Sequence, residues 1–266
     1  MNIRTIGCIG CGSMGGALLR GLAHSRRHTL LGYDSSPAQL GALKTANIAA
    51  EPDARTLTKK SDLILLAVKP DQIPGVVENI LPALNADKIL ISIAAAVTVS
   101  ELTGMVKGVC PVVRVMPNTT VMAGAGIFGI CYDDPRLTEQ NKQAVTRLFA
   151  EVGQTVILPE HKFNQFTAVF SCGPGYLFLF MEAIREAAVT LGFSWAEAAE
   201  LIAAMTYGTG KLAVESGQHF AFLREQVCSP AGITVAAINQ LERSAVRGHI
   251  IDAILTAAAR AREMEK

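Results

Sequence analysis

From the start of the chain to residue 132, short apolar runs alternate with amphipathic stretches. The runs at 5–9, 29–33, 63–68, 89–93, 112–115 and 126–132 predict strands, several of them apolar at nearly every position. Between them, 14–23, 37–44, 70–81 and 99–105 carry the spacing of helices. Strands without a polar face, alternating with helices, predict a parallel sheet covered on both sides, and right-handed crossovers make it doubly wound. After residue 132 the pattern changes. One helix at 138–151 and a last strand at 155–158 are followed by helical spacing alone, at 173–191, 194–216, 219–226, 230–245 and 249–266. Ser194 with Glu197 reads as a capping box opening the second of these. The expected organisation is an α/β domain over 1–158 and an all-helical domain over 159–266. Val235, Ile238, Leu241, Ile250, Ile251, Ile254 and Leu255 make broad apolar stripes on the last two helices, which suits a dimer interface at least as well as packing within one subunit.

The run 163–181 holds 19 residues without a charge, long enough to cross a membrane. Asn164, Gln165 and Ser171 lie inside it and Gly173-Pro174-Gly175 interrupts it, so two buried helix segments meeting at a turn are expected instead. Composition narrows the class further. With 24 basic and 23 acidic residues and no basic block beyond Arg26-Arg27, neither nucleic acid nor an anionic membrane is an expected partner. Half of the residues are hydrophobic, which leaves material for subunit interfaces beyond a monomer core. Met1-Asn2-Ile3-Arg4 lead directly into a strand pattern without a leader-like segment, and the six cysteines are scattered as in reduced proteins; the expectation is a cytoplasmic protein.

The stretch GCIGCGSMGG (7–16) carries two incompatible motifs. Cys8 and Cys11 form a C-x-x-C, but no second C-x-x-C or H-x-x-H appears to complete a metal site, and none is expected. Gly10, Gly12 and Gly15 form a G-x-G-x-x-G between a predicted strand and a predicted helix, the context in which it binds dinucleotides. Gly10 makes the turn, Gly12 admits a pyrophosphate, Gly15 lets helix and strand pack closely, and the helix start attracts the anion. Asp34, 19 residues beyond Gly15, stands where a carboxylate holds the ribose hydroxyls and repels a 2′-phosphate. It leans the choice toward NADH, unless it only caps the helix starting at Pro37. Arg26 and Arg27 are the nearest candidates for a 2′-phosphate, with a solvated loop as their default. The first domain is therefore expected to be Rossmann-type.

An open parallel sheet binds ligands at the carboxyl ends of its strands. There AVKPDQ, SIAAAV and VRVMPNT place Lys69, Ser92 and Asn118, with Pro70 and Pro117 ending the strands abruptly. In the helical part, SPAGIT (229–234) gathers Ser229, Gly232 and Thr234 at a helix opening, a carboxylate-sized anion site unless Ser229 is merely a cap.

Taken together, GCGSMG (10–15), AVKP (67–70), RVMPNT (114–119), GPGY (173–176) and SPAGIT with NQLE (229–242) resemble the pyrroline-5-carboxylate reductase family over nearly the whole chain. The resemblance implies an N-terminal dinucleotide domain, a helical domain that builds a homodimer, often within a larger ring, and reduction of a cyclic imine carboxylate to L-proline with NAD(P)H. By it, Ser229, Gly232 and Thr234 contact the substrate's carboxylate and ring nitrogen, Thr234 orienting the reaction and relaying a proton second. Gly10, Gly12 and Gly15, Lys69 with Pro70, and Asn118 contact the cofactor; Ser13, Met14, Ala67 and Val68 lie in the same two turns. Cys172 stands where a serine is more usual, and Ala96 and Ala231 where glycines are. Two rivals remain. A hydroxy-acid dehydrogenase of similar architecture would use Lys211, but the asparagine expected after it is absent; a non-catalytic NAD(H) sensor would have no use for a second anion site.

Overall fold

The computed structural model describes residues 3–44, 46 and 48–265; Met1, Asn2 and Lys266, read above as parts of the end elements, lie outside the described residues. The chain forms two compact units, one of residues 1–172 with 258–266 and one of residues 173–257.

The first unit runs β1 (Thr5–Ile9), α1 (Ser13–Ala23), β2 (Thr29–Tyr33), α2 (Pro37–Lys44), β3 (Ala49–Ala50), α3 (Ala54–Lys60), β4 (Leu63–Leu66), α4 (Ile73–Ile80), β5 (Ile89–Ser92), α5 (Val99–Met105), β6 (Val112–Met116), β7 (Gly126–Cys131), α6 (Glu139–Ala150), β8 (Gly153–Ile157) and α7 (Phe163–Phe166). The strands form one sheet in the order β3-β2-β1-β4-β5-β6-β7-β8. All pairs are parallel except β6 with β7. The link between those two, a 3-10 turn at Thr119–Ala123 closed by left-handed Gly124, is too short for a crossover helix, so the chain must reverse.

The strands are apolar throughout because each serves two cores. On β4, Leu63 and Leu65 face the core shared with Leu18 and Leu19 of α1 and Phe149 of α6, while Ile64 and Leu66 face the one shared with Leu57 of α3, Val77 of α4 and Leu102 of α5. Helix α3 escapes the sequence reading because only Ala54, Leu57 and Thr58 of its seven residues are buried. Its start was nevertheless marked: Asp53 accepts the Thr56 N–H at 2.7 Å, an N-cap following a proline. Arg114, in the middle of β6, is fully buried. It bonds Glu160 at 3.1 Å and Glu265 at 2.9 Å and lies 4.9 Å from the centre of the Phe163 ring.

The second unit comprises α8 (Gly173–Thr190), α9 (Trp195–Ser216), α10 (Phe220–Gln226), α11 (Ile233–Arg243) and most of α12 (Val246–Met264). The expected turn at Gly173-Pro174-Gly175 is not a turn. Helix α7 continues through a π-helical segment, Thr167–Ser171, to a bend at Cys172, and the glycines and proline open α8, where proline's missing N–H is harmless. Only the first half of that stretch is buried, through Phe163, Phe166 and Ala168; α8 contributes no buried residue, and Leu177, Phe178 and Leu179 are exposed. In α9 only Ala198 and Ile202 are buried, and α10 and α11 bury none. Helices with this much open apolar surface require a cover the described chain does not itself provide. Among the described residues one helical run, Glu160–Thr190, is long and apolar enough to cross a membrane.

Candidate active site

The glycine turn is built as its residue types demand. Gly10 adopts φ +93°, and a side chain there would meet the Ala67 carbonyl at 2.6 Å. Its N–H donates to the Tyr33 carbonyl at 2.8 Å, while the Ala67 N–H donates to the Ile9 carbonyl at 2.8 Å; Ala67 and Val68 thus wall one side of the turn. A Cβ on Gly15 would collide with the Gly10 carbonyl and come within 2.8 Å of the Ala67 methyl. Gly12 is different: a Cβ there meets nothing within 4 Å. That open side lies at the N-terminus of α1, where Gly12 is the N-cap and offers no side chain to the N–H groups of Ser13 and Met14. The turn therefore fits a dinucleotide's pyrophosphate, with space at Gly12 and uncommitted donors beside it.

Asp34 closes the other side. Its carboxylate accepts the Cys11 N–H at 2.7 Å and the Ser36 N–H at 2.8 Å, so it both pins the glycine turn and shapes the start of α2. A carboxylate has about four acceptor positions, so two remain for ribose hydroxyls. Arg27 lies beyond the opposite end of α1, exposed and 3.7 Å from Glu151, away from the turn. Lys69 is exposed and leads the 3-10 turn Pro70–Gln72, its N–H bonded to Gln72 at 3.2 Å. Ser92 is buried and accepts the Ala94 N–H at 3.2 Å, as an ordinary turn residue does.

Asn118 is nearly buried after β6. Cys8 and Cys11 are buried behind the glycines, their thiols turned to the Gly10 carbonyl at 3.3 Å and the Tyr33 carbonyl at 3.5 Å; the adjacent Cys11 side chain, with burial, pushes the Cys8 thiol well above its ordinary value and keeps it un-nucleophilic. Among the described residues no group of His, Cys, Asp or Glu side chains could hold a metal.

In the second unit, Ser229, Pro230, Ala231 and Gly232 form one turn, the Gly232 N–H donating to the Ser229 carbonyl at 3.0 Å. This turn delays the helix expected from Pro230: α11 starts at Ile233, with Gly232 as an N-cap that makes no side-chain bond. Ser229 is therefore not a cap. Its hydroxyl lies against Gly232, where any side chain would collide with it, and the Thr234 hydroxyl in the first turn has no partner among the described residues. Two free hydroxyls beside an uncapped helix start suit a small carboxylate.

Ala231 takes φ +57° and Ala96 φ +61°, the left-handed conformation that explains why glycine is the usual residue at both. Replacing Ala231 with glycine is expected to raise the unfolding free energy by about 1 kcal/mol, read by denaturant unfolding. A loss of stability instead would mean that the methyl packs favourably.

Lys211, needed by the dehydrogenase reading, sits exposed on α9 at 3.8 Å from Glu215, an i,i+4 surface pair.

Comparison with known proteins decides between the readings. The family described as pyrroline-5-carboxylate reductase dimerisation matches residues 160–264, and one described as NADP oxidoreductase, coenzyme F420-dependent, matches 5–96. A pyrroline-5-carboxylate reductase of Escherichia coli is 32% identical over 99% of both chains. The chain belongs to the pyrroline-5-carboxylate reductase family. A solved structure of the Plasmodium falciparum pyrroline carboxylate reductase with NADP bound aligns at a TM-score of 0.89 and 29% identity, covering 100% of this chain and 99% of that one. A Mycobacterium tuberculosis 3-hydroxyisobutyrate dehydrogenase, at 15% identity and a TM-score of 0.54 over 72% of this chain and 67% of that one, shares the fold alone. What the pyrroline-5-carboxylate reductase pattern does not reveal in sequence is how Asn118 is held. Its partner in the π-helical segment lies 52 residues away and carries no local signature.

Proposed function

We infer that the protein reduces the C=N bond of 1-pyrroline-5-carboxylate with NAD(P)H to give L-proline, the last step of proline biosynthesis. The observation that carries this reading is the full-length likeness to pyrroline-5-carboxylate reductases; a glycine turn open at Gly12 and a 229–234 turn at a helix start support it. Bound NAD(P)H supplies the hydride that the imine carbon accepts. The protein's own part is positioning, since a protonated imine is already electrophilic. Residues 1–158 hold the cofactor through Gly10, Gly12, Ser13, Met14, Gly15, Asp34, Ala67, Val68, Lys69, Pro70 and the Asn118 loop. Residues 159–266 hold the substrate: Ser229 and the N–H groups near Gly232 receive its carboxylate, and Thr234 orients the ring nitrogen. The exposed faces of α8 to α12 are covered by a second subunit rather than by lipid, which makes a cytoplasmic homodimer the basic form and a ring of dimers its extension. The family description of 160–264, dimerisation, supports the dimer.

The direct test follows oxidation of NADH and of NADPH on adding pyrroline-5-carboxylate, with reduction of NAD⁺ by hydroxy acids as the control. Imine-dependent oxidation is expected; activity only with hydroxy acids would overturn the assignment. Asp34 sets the cofactor preference toward NADH by repelling a 2′-phosphate. Asp34→Ser is expected to move the ratio of kcat/KM values toward NADPH by about tenfold, the effect of removing one nearby like charge. An unchanged ratio would reduce Asp34 to its bonds with Cys11 and Ser36.

A further inference from the structure

The loop after β6 and the π-helical segment are tied together at two points. The Asn118 amide donates from Nδ2 to the Phe170 carbonyl at 3.3 Å. The Ser171 hydroxyl donates to the Pro117 carbonyl at 2.8 Å. The other end of the same amide holds the loop to itself and to the sheet: Asn118 Oδ1 accepts the Ile127 N–H of β7 at 3.1 Å and lies 2.6 Å from the Thr120 hydroxyl. With three such bonds and only 4% exposure, this side chain faces protein.

The Phe170 carbonyl is available because the residue four positions on, Pro174, has no N–H to donate to it. In Thr167–Ser171 the bonding slips to the wider turn, shown by the Cys172 N–H donating to the Thr167 carbonyl at 3.0 Å. Such segments are rare and concentrate at functional sites. Here the segment spans the residues immediately before Gly173-Pro174-Gly175, and its carbonyl meets a loop at the carboxyl edge of the sheet, where an open α/β sheet receives its ligand.

We propose that Asn118 is a positioning residue for this reaction, bracing the loop that follows β6 against the π-helical segment, with Ser171 as the second tie, and that its amide does not itself contact cofactor or substrate. The proposal rests on the reductase reading and refines the part given there to Asn118. A small displacement of the cofactor-side loop misplaces reacting atoms, and misplacement of the order of an ångström lowers turnover by up to about 10²-fold without any lost ligand contact.

The test uses Asn118→Asp and Ser171→Ala in the full-length protein, with steady-state kinetics on pyrroline-5-carboxylate and NADH binding measured by fluorescence titration. Aspartate keeps the acceptor for Ile127 and Thr120 but turns an ionised oxygen toward the Phe170 carbonyl. Every hydrogen-bond partner of Asn118 is neutral, so the new carboxyl is the group that titrates at this brace. Its protonated form regains a donor. Asn118→Asp is expected to lose about tenfold in kcat at pH 8 with the NADH Kd unchanged, and to recover relative to wild type as the pH falls toward 5. Ser171→Ala is expected to lose several-fold in kcat, and the double variant to lose less than the product of the two, since both changes open one brace.

A parallel rise in the NADH Kd would overturn the proposal by showing that the amide contacts the cofactor. So would wild-type kcat in both variants, or strictly multiplicative losses. If Asn118→Asp fails to fold, Ser171→Ala carries the test, and wild-type kcat there overturns the proposal. Wild-type protein that oxidises no NADH with the imine overturns the reductase reading itself and takes this inference with it.

Discussion

Gly15→Ala is expected to remove measurable dinucleotide binding and destabilise the protein, whereas Gly12→Ala is expected to weaken binding and leave stability untouched. The two glycines are three residues apart in one motif, yet their surroundings differ. A methyl on Gly15 collides with the Gly10 carbonyl and crowds the Ala67 methyl and the Cys8 sulfur at 2.8 and 3.0 Å. Two of those three contacts involve backbone or a rigid Cβ, so the start of α1 must move off the sheet, an overpacking cost of about 1–3 kcal/mol. The N–H groups of Ser13 and Met14 move with it, and the anion site loses its geometry. A methyl on Gly12 meets nothing in the protein, so it obstructs only a ligand, and about tenfold weaker NADH binding with an unchanged Tm is the expected result. NADH titration and thermal unfolding of the two variants check both halves. Wild-type affinity in Gly12→Ala would mean that no pyrophosphate approaches this turn.

That contrast shows where sequence reading succeeded and where it stopped. The glycine turn was legible because it is local: strand, turn and helix start lie within a few residues, and each glycine has its own steric reason. The β-α alternation was legible because strands covered on both faces leave no polar positions. The reversal between β6 and β7 was not, since direction depends on the length of a connection whose ends must first be known. Nothing in the sequence marks the partners of Arg114, since Glu160 and Glu265 are 46 and 151 residues away. The same distance hid the brace from Asn118 to Phe170. Helix α11 was placed three residues early because Ser-Pro reads as a helix opening, while Ala231 in a left-handed conformation spends those residues on a turn. The departure from glycine at 96 and 231 was visible in the sequence; that both alanines keep the glycine backbone needed the structure.

Thr234→Ala is expected to lower kcat by about 10²-fold while leaving NADH affinity and Tm unchanged, the loss typical of removing one well-placed hydrogen-bonding group from a reacting centre. Thr234 lies in the first turn of α11 but does not cap it, since Gly232 is the N-cap, and its hydroxyl bonds to no described residue. Alanine is also the better helix former, so folding gives no reason for the loss. Thr234→Ser keeps the hydroxyl and is expected to recover most of the turnover. The pH profile separates the two roles open to this residue. An alcohol is too weak an acid to donate a proton at neutral pH on its own, so orientation of the ring nitrogen is the role proposed for it first, and the shape of the kcat profile is expected to be the same in wild type and Thr234→Ala. A displaced basic limb in the alanine variant would make proton relay the dominant role. Undiminished turnover in that variant would remove Thr234 from the mechanism and leave Ser229 and the N–H groups of the helix start as the whole of the substrate's polar contact with this turn.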